Sequence, residues 1–138
     1  IAPFGSGTPG CTGEHRILSN SVPASGNANF GLTCTNAPAN SIGLGLITDV
    51  GNIGGFDPFA IQTILYVDIA ASSVVETADF ASDASGAGFA GVPVPASPSI
   101  IGNSYFAQVL WLWAAPSNCV PSPLGMSSSN GVVITVQP

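Results

Sequence analysis

The residues best suited to chemistry lie together near the N-terminus, in the stretch "TGEHRIL" at residues 12–18. Glu14, His15 and Arg16 are adjacent there, and they include the only histidine and the only arginine of the chain. A histidine can act as a general base when a nucleophile or a carboxylate lies within hydrogen-bonding distance. In a strand, however, successive side chains point to opposite faces, so Glu14 and Arg16 share one face and His15 points away. No serine lies in a G-x-S-x-G nucleophile elbow. We therefore expect an exposed strand start with a weak contact of Arg16 to Glu14 or to another carboxylate.

Carboxylates are the second group that could do chemistry. A glycosidase needs two of them facing each other across a cleft, and the sequence cannot show which of these side chains face each other. A small β-rich chain with few polar residues to line a cleft is a poor candidate for such an enzyme, so we predict a non-enzymatic protein. The carboxylates are Glu14, Asp49, Asp57, Asp68, Glu76, Asp79 and Asp83.

A bound calcium ion is the one cofactor that the sequence brings into consideration. Asp49, Asn52 and Asp57 lie in or beside a glycine-rich segment, and calcium prefers carboxylate, amide and carbonyl oxygens. The segment does not match an EF-hand loop, and no cysteine or histidine spacing resembles a zinc site. Asp and Asn side chains also stabilise turns through their own backbone hydrogen bonds, so both explanations stay open.

The aromatic residues allow two interpretations. The segment "YFAQVLWLW" at 105–113 is apolar on both faces, whereas an ordinary sandwich strand buries one face and exposes the other. The second face must therefore be covered by the 50–60 loop, the N-terminal segment, a sugar ligand or another subunit. A sugar could stack on Tyr66, Tyr105, Trp111 and Trp113, although alternating aromatics are more often core or interface residues.

Charge is scarce, and this limits the partners. Charged residues make up 6 % of the 138 residues, against roughly a quarter in typical soluble domains, and the net charge is −6. One basic residue cannot form a basic patch, so nucleic acid and anionic membranes are poor partners. No apolar run reaches the roughly 18 residues that a membrane span requires. A surface with so little charge lacks the usual protection against association, which suits a chain that carries glycans or packs against its own copies.

The three cysteines favour an oxidising compartment with one disulfide. Cys34 alternates with Phe30 and Leu32 in "NFGLTCT" and reads as a small buried apolar residue. Cys11 and Cys119 lie in turn-rich segments, so the Cys11–Cys119 bridge is favoured, with Cys11–Cys34 as the second choice. A start at Ile1 without methionine fits a mature secreted protein whose signal peptide has been removed.

Short apolar alternations separated by turn residues predict an all-β fold. We expect a two-sheet antiparallel β-sandwich, immunoglobulin-like or jelly-roll-like, with eight or nine strands in a single domain over 11–138. The 50–60 segment is expected to be a loop with one helical turn after Asp57-Pro58, and "DASGAG" at 83–88 a hairpin. The predicted strands are 14–22, 28–36, 41–49, 62–70, 73–80, 87–94, 104–114 and 131–137, with a further short piece near 122–127.

The N-terminal segment 1–10 has an apolar head followed by Gly, Ser and Pro. It can fold back on its own domain, or it can extend and cover the sheet edge of a neighbour by strand addition. Head-to-tail contacts of that kind generate filaments when they do not close. The predicted assembly interface consists of Ile1, Phe4, Tyr105, Trp111 and Trp113.

Three phrases of the chain resemble a module found in many uncharacterised secreted or surface proteins of Planctomycetes-like environmental bacteria. They are "FGLTCTNAPANSIGLGLI", "SDASGAGFAGVPVP" and "LGMSSSNGVVITVQP", and the resemblance spans residues 5–138. It implies an extracellular immunoglobulin-like sandwich without catalytic residues to transfer.

These observations together predict a secreted structural protein, a β-sandwich that assembles with its own copies into a surface filament or layer. The alternative is a monomeric carbohydrate-binding or adhesion module that takes glycans as partners. A small hydrolase is the third possibility.

Overall fold

The computed structural model describes residues 1–114 and 118–138. The regular secondary structure of these described residues is β-strand apart from one 3-10 turn at Pro98–Ile100. Within the described residues the strands are β1 (Ala2–Phe4), β2 (Arg16–Ser19), β3 (Gly31–Thr35), β4 (Ile42–Thr48), β5 (Gly51–Phe56), β6 (Leu65–Val67), β7 (Val75–Ser82), β8 (Gly88–Gly91), β9 (Ser104–Leu112), β10 (Met126–Ser128) and β11 (Gly131–Thr135).

Nine of these strands form one antiparallel sheet in the order β1-β11-β9-β4-β7-β8-β3-β2, with β10 also paired to β9. The sheet curls until β2 approaches the β10–β11 arm, where His15 and Ser129 form a parallel bridge. The Asn130 N–H donates to the His15 carbonyl, and the Ile17 N–H donates to Asn130 Oδ1 at 2.7 Å. Two walls of one sheet therefore face each other across a common core, which confirms the predicted all-β antiparallel sandwich.

Trp111 fills the centre of this core with none of its surface exposed. Its ring lies between Gly43 on β4 and Gly88 on β8, and a Cβ added at either glycine would come within 2.8 Å of the ring. Phe80 meets the ring edge-on at a centroid distance of 5.9 Å, an arrangement that aromatic quadrupoles favour. The strand pairing therefore leaves two glycines where the largest side chain of the core needs room.

The second face of β9 is covered by the chain itself. Strands β5 and β6 pair with each other and lie over the outer side of β9 and β4, where Leu46, Leu65, Val67 and Leu110 form a second buried cluster. Gln108 on β9 binds this second layer through two hydrogen bonds. Its Oε1 accepts from the Tyr66 N–H at 2.8 Å, and its Nε2 donates to the Ile64 carbonyl at 3.0 Å. The two-faced apolar pattern of β9 thus reflects two layers of the same domain.

Two sequence predictions about irregular segments have different outcomes. The 83–88 hairpin is confirmed, since β7 ends at Ser82, β8 begins at Gly88, and Asp83 accepts from the Ser85 and Ala87 N–H groups. The prediction of a loop at 50–60 is wrong, because most of this segment forms β5. The helical turn expected after Asp57 is a plain turn in which that carboxylate accepts N–H groups four and five residues on.

The N-terminal segment lies on its own domain. Strand β1 pairs with the edge of β11, and Phe4 packs edge-on against Tyr66 at a centroid distance of 5.2 Å. Farther along, the Thr8 N–H donates to Ser128 Oγ at 2.9 Å. Residues 1–10 therefore complete the cover over β9 in this chain, next to β5 and β6.

Candidate functional site

His15 lies inside the protein and is completely buried. Its Nδ1 is 2.6 Å from the Asn36 carbonyl and its Nε2 is 2.6 Å from Ser127 Oγ. A carbonyl can only accept, so Nδ1 carries the proton and Nε2 accepts the hydroxyl proton of Ser127. The indole N–H of Trp113 donates to the same Ser127 oxygen at 2.8 Å. Both imidazole nitrogens, the Ser127 hydroxyl and the Trp113 N–H therefore each have a hydrogen-bond partner.

A serine hydroxyl bound to a histidine nitrogen is the geometry of an activated nucleophile. Here neither His15 nor Ser127 has any exposed surface, so a substrate has no access to the pair in this conformation. Burial lowers the pKa of His15 from its usual value near 6.5, and its hydrogen bond to the Asn36 carbonyl only partly opposes this. These hydrogen bonds hold a neutral imidazole between β2 and β10 and link the two strands. We call His15, Asn36, Ser127 and Trp113 the buried polar clamp.

Glu14 and Arg16 occupy the opposite face, as strand alternation predicted. The guanidinium of Arg16 donates to Glu14 Oε2 at 3.2 Å, and both side chains are largely exposed. An exposed pair of this kind contributes between about 0 and 1 kcal/mol. The conspicuous sequence cluster is thus a surface ion pair on one side and a buried polar clamp on the other.

The favoured disulfide is present. Cys11 and Cys119 are joined with an S–S distance of 2.07 Å and a Cα–Cα distance of 4.8 Å. The bridge ties the segment before β2 to the segment before β10, close in sequence to both His15 and Ser127. It therefore reinforces the same region where the sheet closes on itself.

The third cysteine is buried beside Trp111. Cys34 is 1 % exposed, and the indole N–H of Trp111 lies 3.3 Å from its sulfur. Burial raises the pKa of the Cys34 thiol to about 11, with the Trp111 hydrogen bond acting in the opposite direction. The thiolate is the reactive form of cysteine, so this group is protected from disulfide exchange.

The residues considered for calcium all accept backbone hydrogen bonds, two of them within a local turn. Asp49 Oδ1 accepts from the Val74 N–H at 3.0 Å, Asn52 Oδ1 accepts from Gly54, and Asp57 accepts from two N–H groups of the following turn. The turn-forming explanation accounts for Asn52 and Asp57. Asp49 instead accepts from Val74, which lies 25 positions along the chain. In the described part of the chain, no three His, Cys, Asp or Glu side chains are placed to hold a metal ion.

The five residues predicted for an assembly interface do not form one surface. Trp111 belongs to the core with 0 % exposure, which removes it from any interface. Tyr105 lies half-buried on the inner face of β9, and Trp113 is half-buried against Ser127. Phe4 packs within its own chain, and only Ile1 is exposed, at 42 %. Of the four aromatic residues considered for sugar stacking, Trp111 and Tyr66 are also buried, at 0 % and 6 % exposure.

A different apolar surface is present on the outside of the sheet. Five cross-strand partners follow one another over β2, β3, β8, β7 and β4, and all point outward. None is charged, and all but Thr33 are apolar. The three large side chains, Leu18, Phe89 and Ile42, are 51 %, 48 % and 66 % exposed. We call this set the outer apolar row; it consists of Leu18, Thr33, Phe89, Ala81 and Ile42.

A cavity of about 460 Å³ opens where the sheet splits between β7 and the segment after β8. Strand β8 pairs with β7 only at Ala81 and Ser82, so the first half of β7 and residues 92–95 diverge. We call this opening the β7 cavity. Its apolar lining reaches the core at Phe30, Ile47, Ala78, Ile134 and Val136, and its polar members include Glu76 and Tyr105.

Sequence reasoning missed both of these features. The outer apolar row joins residues from five strands whose register only the fold sets, although the apolar residue in the outward phase of four of these strands was a visible signal. The β7 cavity had a weaker signal in "VPVP" at 92–95, because alternating prolines cannot continue a ladder.

Together these features define an antiparallel all-β domain with one disulfide and a buried polar clamp, and its described residues contain no helix long and apolar enough for a bilayer crossing. Comparisons with protein-family models, curated proteins and solved structures find no match to the chain. The resemblance to secreted bacterial sandwich modules remains a prediction.

Proposed function

We propose that the protein is a non-enzymatic extracellular building block that associates with copies of itself through the outer apolar row. The observation that carries the proposal is the row itself. It crosses five strands, or roughly 19 Å at the usual spacing of about 4.8 Å between neighbouring strands. Exposed apolar surface that is continuous in this way is typical of interaction sites, whereas scattered apolar residues are not.

The rest of the surface supports the same proposal. Next to Ile42, Leu44 on β4 and Leu112 on β9 are 40 % and 45 % exposed, so the apolar surface widens at this end of the row. The chain has 6 % charged residues, which leaves little electrostatic repulsion to keep two such surfaces apart. A filament or layer follows if the row on one copy meets a different surface on the next.

The cysteines support an extracellular location. One pair forms the Cys11–Cys119 bridge, and the remaining thiol, Cys34, is withdrawn from solvent beside Trp111. Disulfides persist in oxidising compartments, where an exposed unpaired thiol would cross-link molecules at random. The arrangement suits a protein that works outside the cell at high local concentration.

Sedimentation velocity over a concentration series up to the millimolar range tests the proposal. We expect wild-type protein to associate as concentration rises, and Ile42→Lys with Phe89→Lys to shift the sample toward monomer. Ile53→Lys is the matched control, because Ile53 is 67 % exposed on β5 and lies outside the row, against 66 % for Ile42. Wild-type protein that stays monomeric throughout, or a control that abolishes association equally, would refute the role of the row.

A further inference from the structure

We infer that the β7 cavity is a binding site for a small amphiphilic cation, a molecule with an apolar body and an amine head. This site is separate from the outer apolar row and does not depend on the proposed self-association. At about 460 Å³ it falls within the usual range for pockets that bind small ligands. Such pockets are mostly apolar with a few polar groups that fix the orientation of the ligand, which is the composition found here.

The deep part of the cavity is lined by apolar side chains, so we expect the part of the ligand that enters it to be apolar. Its lining includes Phe30, Ile134 and Val136, which are 1 %, 4 % and 4 % exposed and belong to the core layer or border it. A ligand that enters the split would therefore meet side chains that are otherwise hidden from water. Removal of apolar ligand surface from water there favours binding.

The carboxylate of Glu76 at the mouth of the cavity is the reason to expect a positively charged ligand. Glu76 has the same phase along β7 as the buried Ala78 and Phe80, so its side chain starts on the cavity side of the strand, and it is exposed at the mouth. Asp79 has the opposite phase and pairs with Leu44 on the outer face. Arg16, the only Lys or Arg of the chain, is bonded to Glu14. A carboxylate at an apolar mouth is therefore left to attract a cation from outside the chain.

The wall of the cavity formed by residues 92–95 favours a small molecule over an inserted strand as the occupant. The Val92 and Val94 N–H groups donate to the Phe30 and Asn27 carbonyls, away from the split. Pro93 and Pro95 between and after them have no N–H. This wall therefore offers no backbone donor to a strand that would fill the gap, whereas an alkyl or aromatic body needs none.

Titration with n-decylamine, n-decanol and n-decanoate below their aggregation concentrations, followed by chemical-shift changes, tests the inference. We expect saturable binding of decylamine that shifts resonances of Phe30, Ala78 and Val92, with decanol weaker and decanoate weakest. Glu76→Gln should weaken decylamine binding about threefold to fivefold, the worth of one exposed charge pair, and leave decanol unchanged.

Two further variants separate the site from general effects. Asp79→Asn removes a carboxylate from the other face of the same strand and should leave binding unchanged. Val92→Phe narrows the cavity and should weaken all three ligands, and thermal unfolding will show that each variant is folded. Absence of saturable decylamine binding, equal effects of Glu76→Gln and Asp79→Asn, or decanoate binding as tight as decylamine would overturn the inference.

Discussion

His15 Nε2 and Ser127 Oγ lie 2.6 Å apart although 112 residues separate the two in the chain. The contact joins the segment that leads into β2 to β10, on either side of the place where the curled sheet closes. The Cys11–Cys119 bridge and the His15–Ser129 backbone pairing connect the same two regions. A covalent bond, a backbone pairing and a buried side-chain hydrogen bond therefore fix the closure together.

The stability of the protein should fall as the pH drops below about 6.5, because His15 is neutral in the fold. Burial lowers the pKa of His15, so just below pH 6.5 the unfolded chain binds a proton that the folded chain does not bind. The stability that is present above the usual pKa of 6.5 is therefore lost as the pH falls from that value toward the pKa of the folded state. Urea unfolding between about pH 7.5 and pH 5 measures the slope.

A His15→Gln variant provides the control for this pH dependence. It should be less stable at every pH, yet its stability should be nearly constant in the same window. The Asp83 carboxylate does not interfere there, because the Ser85 hydroxyl and the Ala87 N–H hold its pKa below 3.8, and its effect appears only at lower pH. An unchanged slope in His15→Gln would contradict the assignment.

Gly88→Ala should destabilise the fold by roughly 1–3 kcal/mol, as overpacking of a close-packed core does. The new Cβ would lie 2.7 Å from the Trp111 ring, which is also close to Gly43. Gly91→Ala on the same strand is the control, since its Cβ meets nothing within 4 Å and should change stability by no more than about 0.5 kcal/mol. Equal losses in the two variants would mean that strand glycine itself, and not the Trp111 contact, decides the effect.

Cys34 should resist alkylation in the folded protein. Its thiol is buried and its pKa is raised to about 11, so iodoacetamide at neutral pH finds almost no thiolate. Mass spectrometry under non-reducing conditions should show no adduct on native protein and a single adduct after denaturation. Rapid labelling of native protein, or two additional adducts after denaturation without reductant, would contradict the assigned cysteine states.

Loss of the disulfide should cost about 3–5 kcal/mol, the range expected for a bridge that closes so long a loop. The two cysteines are separated by 108 positions, so the cross-link restricts most of the unfolded chain. The Cys11→Ser, Cys119→Ser double variant compared with wild type by urea unfolding measures this value. A Cys34→Ala variant keeps the bridge and shows how much a change at a cysteine outside it contributes.

Much of the fold was predictable because its signals are local. Alternation marked β3, β4, β7 and β9, and the Asp83 turn chemistry marked a hairpin, since both depend on neighbouring residues. Strand β5 was missed because "GNIGGF" offers two apolar residues and three glycines, and its pairing comes from β6.

The chain by itself determined its class, the preferred Cys11–Cys119 pairing and the separation of His15 from Glu14 and Arg16. Each follows from composition, from local turn residues or from the two-residue period of a strand. Only the tertiary structure decided that His15 meets Ser127, that β5 and β6 cover β9, and where the outer apolar row and the β7 cavity lie. Those outcomes depend on the register and curvature of the whole sheet and on packing between residues far apart in the chain, which no local stretch of sequence determines.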